Sequence, residues 1–190
     1  MNIAIIPAKS QSKRLPGKNI RLFHGKPMLS YPIQTALESG LFQAVYVSTD
    51  SPAIEQIAKV YGAVPWRRES RLVGDEFGPQ AIAGEVLGSI KAENACVIYP
   101  CTPLMTVEDL KRGFYAIRDT SACYAFAIGR DPLRDAGAWY WGRRWAWLGD
   151  IHLFCPNSAM IPIPDERVCD VNVQKDWDDC ERKYAAMQCV

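Results

Sequence analysis

The chain has 190 residues, and its 22 Lys and Arg nearly balance its 21 Asp and Glu. This length predicts a single domain over 1–190 that can bury its own hydrophobic core. The balanced charge argues against a nucleic-acid partner, because binding to phosphate backbones requires a marked excess of cations. No apolar run is long enough to span a membrane and no signal peptide is evident, so we expect a cytoplasmic protein without membrane contact.

The cysteines do not predict a metal site or a disulfide framework. There are seven of them, with only two histidines, and no pair has the Cys-x-x-Cys spacing. We interpret them as thiols in a reducing compartment. Cys96, Cys123 and Cys169 each interrupt an apolar run, which favours a role as small core residues.

The first half of the chain alternates apolar runs with amphipathic segments. The apolar runs predict strands at 2–7, 44–48 and 63–66. The spacing of apolar residues predicts helices at 28–39 and 52–61, the second one capped by Ser51 with Pro52 at its first position. Gly40 and Gly62 follow these helices, where glycine commonly terminates a helix.

The second half continues the alternation. Thr106 and Asp109 have capping-box spacing and predict a helix that runs to about Arg118. The remaining predicted elements are helices at 79–92 and 175–188 and strands at 95–99, 122–128 and 138–141. This order predicts a three-layer, Rossmann-like α/β fold with a mostly parallel sheet. Ligands bind beyond the carboxyl ends of such strands, so we expect the functional loops at 8–19, 49–51 and 100–104.

The loop after the first strand reads AKSQSKRLPGKN over 8–19 and contains four cations within ten residues. Cations neutralise phosphate charge, while hydroxyl and backbone N–H groups bind phosphate oxygens. The loop is therefore a candidate polyphosphate site, although it matches neither a P-loop nor a GxGxxG motif. A solvated basic loop would have the same composition.

Several motifs in order along the chain resemble those of the CMP-sugar synthetases, which activate nonulosonic acids with CTP. The loop at 8–19 resembles the A-R-x-x-S-K-R-[IL]-P-x-K-N signature, and DAGAWYWG at 135–142 is similar to a motif of the pseudaminic acid branch. Further similar segments are FHGKPM at 23–28, VSTD at 47–50, YPCTPL at 99–104, NS at 157–158 and DVN at 170–172. The resemblance implies a nucleotide-diphosphosugar transferase fold, with CTP and a sugar acid as substrates, pyrophosphate as a product and Mg²⁺ as the cofactor.

The resemblance also implies roles for particular residues. Lys9 and Lys18 take the positions of catalytic, phosphate-contacting cations, and Asp170 with Asn172 take those of the metal ligands. The implied nucleotide-binding residues are Ala8, Ser10, Ser12, Lys13, Arg14, Asn19, Arg68 and Thr102. Two other interpretations stay open from the residues alone: Asp50 could cap the next helix, and Arg68 could be a surface arginine.

Three departures from the family pattern bear on activity. Lys9 replaces an Arg, which removes a bidentate fork for phosphate. Asn172 replaces an Asp, which removes one anion near the metal. The segment near 129–135 is shorter than in the family by a few tens of residues, which in the family contribute to acceptor binding and dimerisation. We therefore expect a weakened homodimer.

These departures leave the function open between three hypotheses. The first is transfer of CMP to a nonulosonic acid, with pseudaminic acid as the expected acceptor. The second is the related synthesis of CMP-N-acetylneuraminate. The third is a degenerate protein that binds the nucleotide with little turnover, which Asn172 and the short segment favour.

Overall fold

The computed structural model describes residues 1–74, 77–130, 134–149 and 151–188. Its strands are β1 (Asn2–Pro7), β2 (Leu22–Phe23), β3 (Lys26–Pro27), β4 (Ala44–Thr49), β5 (Val64–Arg67), β6 (Asn94–Ile98), β7 (Tyr124–Gly129), β8 (Arg134–Arg143) and β9 (Ser158–Pro162). Its α-helices are α1 (Ser30–Glu38), α2 (Pro52–Val60), α3 (Pro79–Ser89), α4 (Val107–Asp119), α5 (Arg144–Leu148) and α6 (Gln174–Gln188). Within the described ranges, no helix is both long and apolar enough to cross a bilayer.

Seven strands form one twisted sheet in the order β5-β4-β1-β6-β8-β7-β9. The pairs β4–β5, β1–β4, β1–β6 and β7–β9 are parallel, whereas β8 runs antiparallel to both of its neighbours. The chain builds outward from β1 to β5 and then returns to the other side of β1 with β6. This reversal leaves a crevice beyond the carboxyl ends of β1 and β6, where open α/β sheets bind ligands.

Two apolar layers cover the sheet, one on each face. Along β1, Ala4 and Ile6 point toward helices α1, α2 and α4, whereas Ile3 and Ile5 point toward α3 and α5. This alternation follows from the pleat of a strand, and burial on both faces explains why the strand is apolar throughout. The predicted three-layer, mostly parallel α/β fold is confirmed.

The predicted helix caps are present. Ser51 accepts a hydrogen bond from the backbone N–H of Ile54, and Pro52 occupies the first turn of α2. Thr106 and Asp109 form a reciprocal capping box at the start of α4, and Arg167 pairs with the same Asp109 carboxylate. Each cap satisfies backbone N–H groups that have no partner within the helix.

The structure adds elements that the sequence pattern did not predict: the hairpin β2–β3, the short helix α5 and the edge strand β9. The strand predicted at 138–141 extends over Arg134–Arg143 as β8. These elements are short or lie at an edge, where tertiary pairing decides the conformation more than local periodicity does. The shortened segment predicted near 129–135 falls partly on residues 131–133, which lie outside the described residues.

A third apolar cluster attaches α6 to the carboxyl edge of the sheet. Trp177 of α6 is fully buried and packs edge-on against Phe23, which also contacts Tyr31. The guanidinium of Arg21 lies 4.4 Å from the centre of the Trp177 ring. This packing fixes the segment that precedes α6, residues 170–173, beside the loop that follows β1.

Gly113 allows α4 to approach β8 closely, and we expect Gly113→Ala to destabilise the protein. An added Cβ would lie 2.4 Å from Trp139 and 2.5 Å from Trp141, two fully buried side chains. Overpacking of this kind lowers the free energy of unfolding by about 1–3 kcal/mol, which urea unfolding can measure. Gly88→Ala in α3 is the control, because no atom lies within 4 Å of its added Cβ. Equal stability of the two variants would contradict this account of the packing.

Candidate active site

A cleft of about 500 Å³ opens at the carboxyl ends of β1 and β6, where the strand order reverses. Pro7 at the end of β1 and Tyr99 and Pro100 after β6 line the cleft where these two strands end. The other lining residues are Lys9, Ser12, Lys13, Arg14, Lys18, Asn19, Arg68, Gly74, Phe77, Gly78, Pro79, Ile82, Asp170 and Asn172. Most of the residues singled out in the sequence therefore line one cavity.

The four cations of the loop after β1 all line this cleft: Lys9, Lys13, Arg14 and Lys18. Burial lowers the pKa of Lys9, and the nearby positive charges of Lys13, Arg68 and Lys18 lower it further, against the opposing effect of Asp50. Like charges at such proximity destabilise one another unless an anion binds among them. The arrangement therefore suits a ligand with several negative charges.

Two tethers hold the loop in place. The backbone N–H and hydroxyl of Ser10 donate to Asp50 at 2.7 and 2.5 Å. The side-chain amide of Asn19 donates to the carbonyl of Lys9 at 3.1 Å. Burial opposes ionisation of Asp50, but the hydrogen bonds from Ser10 outweigh burial and leave its pKa below the usual value. Asp50 thus holds the loop, while Ser51 caps α2.

Arg68 is a buried cation of the cleft wall, not a surface arginine. Only 7% of its surface is exposed, and its guanidinium donates to the hydroxyl and the carbonyl of Ser48 at 3.1 and 2.8 Å. Burial lowers its pKa, while the carboxylates of Asp50 and Glu85 act in the opposite direction. These contacts fix a positive charge at the end of β4, on the side of the cleft next to the loop.

The opposite side of the cleft carries Asp170 and Asn172, which connect directly to the loop. Asn172 accepts a hydrogen bond from Arg14 at 2.6 Å and donates one to Asp170 at 2.7 Å. Lys18 donates to the carbonyl of Val171 at 2.5 Å. Hydrogen bonds therefore join two of the loop cations, Arg14 and Lys18, to the segment that carries Asp170, which is the only carboxylate among the described residues that line the cleft.

A turn of the backbone within the first half of β8 approaches Asp170 closely. Gly137 has a φ of +59°, and a Cβ on it would lie 3.4 Å from the Asp170 carboxyl carbon. Asp135 stabilises this turn, because its carboxylate accepts from the Gly137 N–H at 3.1 Å and from the Tyr140 hydroxyl at 2.7 Å. The positive φ favours glycine at this position, and a side chain here would also contact Asp170.

Asp170 and Asn172 offer two oxygen donors, one charged and one neutral. Mg²⁺ is a hard cation that proteins hold through one or two carboxylates together with substrate phosphates. Asp170 is an exposed carboxylate that lines the same cleft as the loop cations. This arrangement fits a metal ion that takes most of its ligands from the phosphates of a bound nucleotide. No cluster of three or more His, Cys, Asp or Glu side chains in the described ranges could hold a metal by protein contacts alone.

An uncharged wall also lines the cleft, and its residues Phe77 and Ile82 were not predicted from the sequence. Phe77, Ile82 and the aromatic ring of Tyr99 line the cleft beside Gly78 and Pro79, which begin α3. The amino end of this 11-residue helix carries partial positive charge, which favours an anion nearby. The sequence feature that could have indicated this wall is the start of a helix after the edge strand β5, on the same side of the sheet as the basic loop.

Three predicted nucleotide-binding residues are not among those that line the cleft. The Thr102 hydroxyl donates to the carbonyl of Tyr99 at 2.8 Å, and the residue is buried. Ala8 is fully buried, and Ser10 faces Asp50. The Thr102 hydroxyl stabilises the turn after β6, and its place beside the nucleotide stays a prediction.

Comparison with known proteins agrees with this architecture. The family model described as cytidylyltransferase matches residues 3–138. The pseudaminic acid cytidylyltransferase of Campylobacter jejuni is 29% identical to this chain, with 96% of each chain covered. A structure of CMP:2-keto-3-deoxy-manno-octonic acid synthetase complexed with CTP has a TM-score of 0.78 at 17% identity, covering 98% of this chain and 99% of that one.

A protein of Mycobacterium tuberculosis solved in complex with manganese has a TM-score of 0.68 at 13% identity, covering 97% of this chain and 98% of that one. These two structural similarities concern the fold, whereas the family match extends over more than half of the sequence. The chain belongs to the cytidylyltransferase family.

Proposed function

We propose that this cytidylyltransferase transfers CMP from CTP to a nonulosonic acid, with pseudaminic acid as the acceptor, and releases pyrophosphate. The observation that carries the proposal is the cleft in which four loop cations and Arg68 face Asp170. The name of the Campylobacter jejuni relative, which aligns over nearly the whole chain, supports pseudaminic acid as the acceptor.

In this reaction the anomeric hydroxyl of the acid attacks the α-phosphate of CTP, and pyrophosphate leaves. The protein must neutralise the triphosphate and keep the attacking and leaving oxygens aligned. We assign Lys9 and Lys18 to the triphosphate, because both line the cleft from the loop after β1. Lys13, Arg14 and Ser12 supply further donors along the same surface.

We place the cytidine against the uncharged wall, in contact with Phe77, Ile82 and Tyr99. An apolar and aromatic surface suits the faces of the base and the ribose, whereas the charged loop suits the phosphates. Burial raises the pKa of the Tyr99 hydroxyl, so this group stays protonated and can donate a hydrogen bond. Arg68 lines the same cleft and would contact the nucleotide near its phosphates.

We propose Mg²⁺ as the divalent cofactor, held by Asp170 with Asn172 as a weak second ligand. When bound, Mg²⁺ supplies positive charge that stabilises the triphosphate and the departing pyrophosphate. The chain contributes one carboxylate and the hydrogen bonds that orient it: Asn172 donates to Asp170 and accepts from Arg14. The site therefore depends on substrate phosphates for most of its remaining ligands.

The acceptor side and the homodimer also remain proposals. The match to the Campylobacter jejuni relative extends over 222 residues, more than the 190 of this chain, so the relative has positions without a counterpart here. We attribute part of this difference to the predicted short segment near 129–135. The cysteines of the described part are all free thiols, which suits the cytoplasmic location that we propose.

A second candidate function is nucleotide binding with little turnover. The specific observation in its favour is Asn172, whose neutral amide occupies the position next to Asp170 and replaces one anion of the family's metal motif. Under this hypothesis the cleft binds Mg·CTP, but the acceptor is not held well enough for attack.

An acceptor panel distinguishes these functions. Purified protein is incubated with CTP and Mg²⁺, together with pseudaminic acid, N-acetylneuraminic acid or no acid, and the CMP-sugar is detected by mass. We expect product with pseudaminic acid above that with N-acetylneuraminic acid, and none without acid. Greater product with N-acetylneuraminic acid would identify that sugar as the acceptor. CTP binding without product from either acid would support the second candidate function.

A further inference from the structure

Two cysteines far apart in the sequence meet on the face of the sheet that carries α3 and α5. The Sγ atoms of Cys123 and Cys155 lie 3.0 Å apart, and both are free thiols. Cys123 directly precedes β7, and Cys155 lies in the segment that leads into β9. Neither cysteine has a role in the proposed transfer of CMP.

The pairing of the two strands fixes this contact. Tyr124 of β7 is in register with Ser158 of β9, and the backbone N–H of Cys123 donates to the carbonyl of Asn157 at 3.1 Å. The segment before β9 also folds back on itself, since the backbone N–H of Ser158 donates to the carbonyl of Cys155 at 3.0 Å. The backbones of both cysteines are therefore held by hydrogen bonds that adjoin the sheet.

The two thiols have different environments. Cys155 is partly exposed, and its sulfur lies 3.3 Å from the hydroxyl of Ser158. Hydrogen bonds with Ser158 and Cys123 lower the pKa of Cys155, whereas burial raises that of Cys123. The exposed thiol with the lower pKa is the better attacking nucleophile, and the buried thiol beside it is placed to resolve a mixed disulfide.

The pair is remote from the candidate active site. Strand β7 runs in the same direction as β6, so Cys123 at its amino end lies at the edge of the sheet opposite the cleft. Modification of this pair can thus be tested separately from nucleotide binding, and it does not depend on the proposed function.

We propose that Cys123 and Cys155 form a reversible intramolecular disulfide when the protein meets a low-molecular-weight disulfide such as oxidised glutathione. The Cys155 thiolate attacks the glutathione disulfide, forms a mixed disulfide and releases one glutathione thiolate. The Cys123 sulfur, losing its proton to solvent, then attacks the Cys155 sulfur and releases the second glutathione. Two protein thiols are oxidised, and one glutathione disulfide is reduced to two thiols.

Little rearrangement is needed for this step. A disulfide has an S–S distance of about 2.05 Å, so the two sulfurs need to approach by about 1 Å. The bond would join positions 32 residues apart and attach the segment before β9 to β7. Constraint of the unfolded chain by a loop of this size should raise Tm by roughly 5–10 °C.

The experiment uses the full chain, reduced and then freed of reductant. It is incubated with oxidised and reduced glutathione in graded ratios, quenched with acid and alkylated, and the linkage is located by peptide mass mapping. We expect a species with two fewer alkylated cysteines and a peptide that joins Cys123 to Cys155. Cys123→Ser should accumulate the glutathione mixed disulfide on Cys155, and Cys155→Ser should form neither product.

Cys96→Ala is the matched control, because Cys96 is a fully buried thiol of β6 outside this contact. It should form the Cys123–Cys155 linkage as readily as the unaltered chain. The proposal is overturned if the folded protein keeps both thiols free in oxidised glutathione. It is also overturned if the linkage forms only among the buried Cys101, Cys169 and Cys180, or if Cys123→Ser fails to accumulate the mixed disulfide.

Discussion

Asn172→Asp is expected to lower the Mg²⁺ concentration needed for CTP binding by about tenfold. In the present structure Asn172 donates to Asp170 at 2.7 Å, so the substitution would bring two carboxylates into contact. Like charges at that distance repel each other, and a divalent cation between them removes the repulsion. The added anion therefore strengthens metal binding by roughly 1.5 kcal/mol, the scale of one charge-assisted interaction.

Calorimetric titration of CTP at graded Mg²⁺ concentrations measures this effect. The control is Gln174→Glu, which makes the same change in net charge at an exposed residue that does not line the cleft. If the Mg²⁺ requirement fell equally in both variants, or did not change in Asn172→Asp, position 172 would not contact the metal. Pyrophosphate release by the same protein adds a second readout. Higher turnover would show that the missing anion limits the reaction. Tighter CTP binding at unchanged turnover would show that binding of the acceptor sugar limits it.

Lys18→Ala is expected to weaken CTP binding by about 1.5–3 kcal/mol, or roughly 10- to 150-fold. Lys18 lines the cleft and also donates to the carbonyl of Val171 at 2.5 Å. The substitution removes a charge that we assign to the triphosphate, and it releases the loop from the segment that carries Asp170. Both changes act in the same direction.

The matched control for this substitution is Lys91→Ala, which removes the same charge from an exposed residue just before β6 at the opposite edge of the sheet. We expect its CTP affinity to stay within twofold of that of the unaltered chain. If Lys18→Ala bound CTP as tightly as Lys91→Ala does, the assignment of the basic loop to the triphosphate would be refuted.

The sequence predicts the parts of this fold that local chemistry determines. The apolar run of β1 is buried on both faces, and Ser51 with Pro52 and Thr106 with Asp109 cap α2 and α4 as expected. These signals act within a few residues, so they can be read without tertiary context. The direction of β8 cannot, because its pattern is the same in a parallel and in an antiparallel pairing.

The candidate site shows the same division. The sequence places four cations in the loop after β1. Because this loop follows the carboxyl end of a parallel strand, all four line the cleft, as predicted. The wall formed by Phe77 and Ile82 was not predicted, because it depends on where α3 packs across the sheet. The motif position of Thr102 does not reveal that its hydroxyl donates to the carbonyl of Tyr99, because that contact depends on the turn after β6.

We propose that this cleft binds Mg·CTP and that the protein transfers CMP from it to a nonulosonic acid. The most direct test measures pyrophosphate and CMP-sugar together in one reaction with CTP, Mg²⁺ and pseudaminic acid. We expect the two products to form in equal amounts, neither of them without the acid, and Lys18→Ala to lower both equally. Pyrophosphate release that does not depend on the acid, or CMP-sugar formation unaffected by Lys18→Ala, would contradict it.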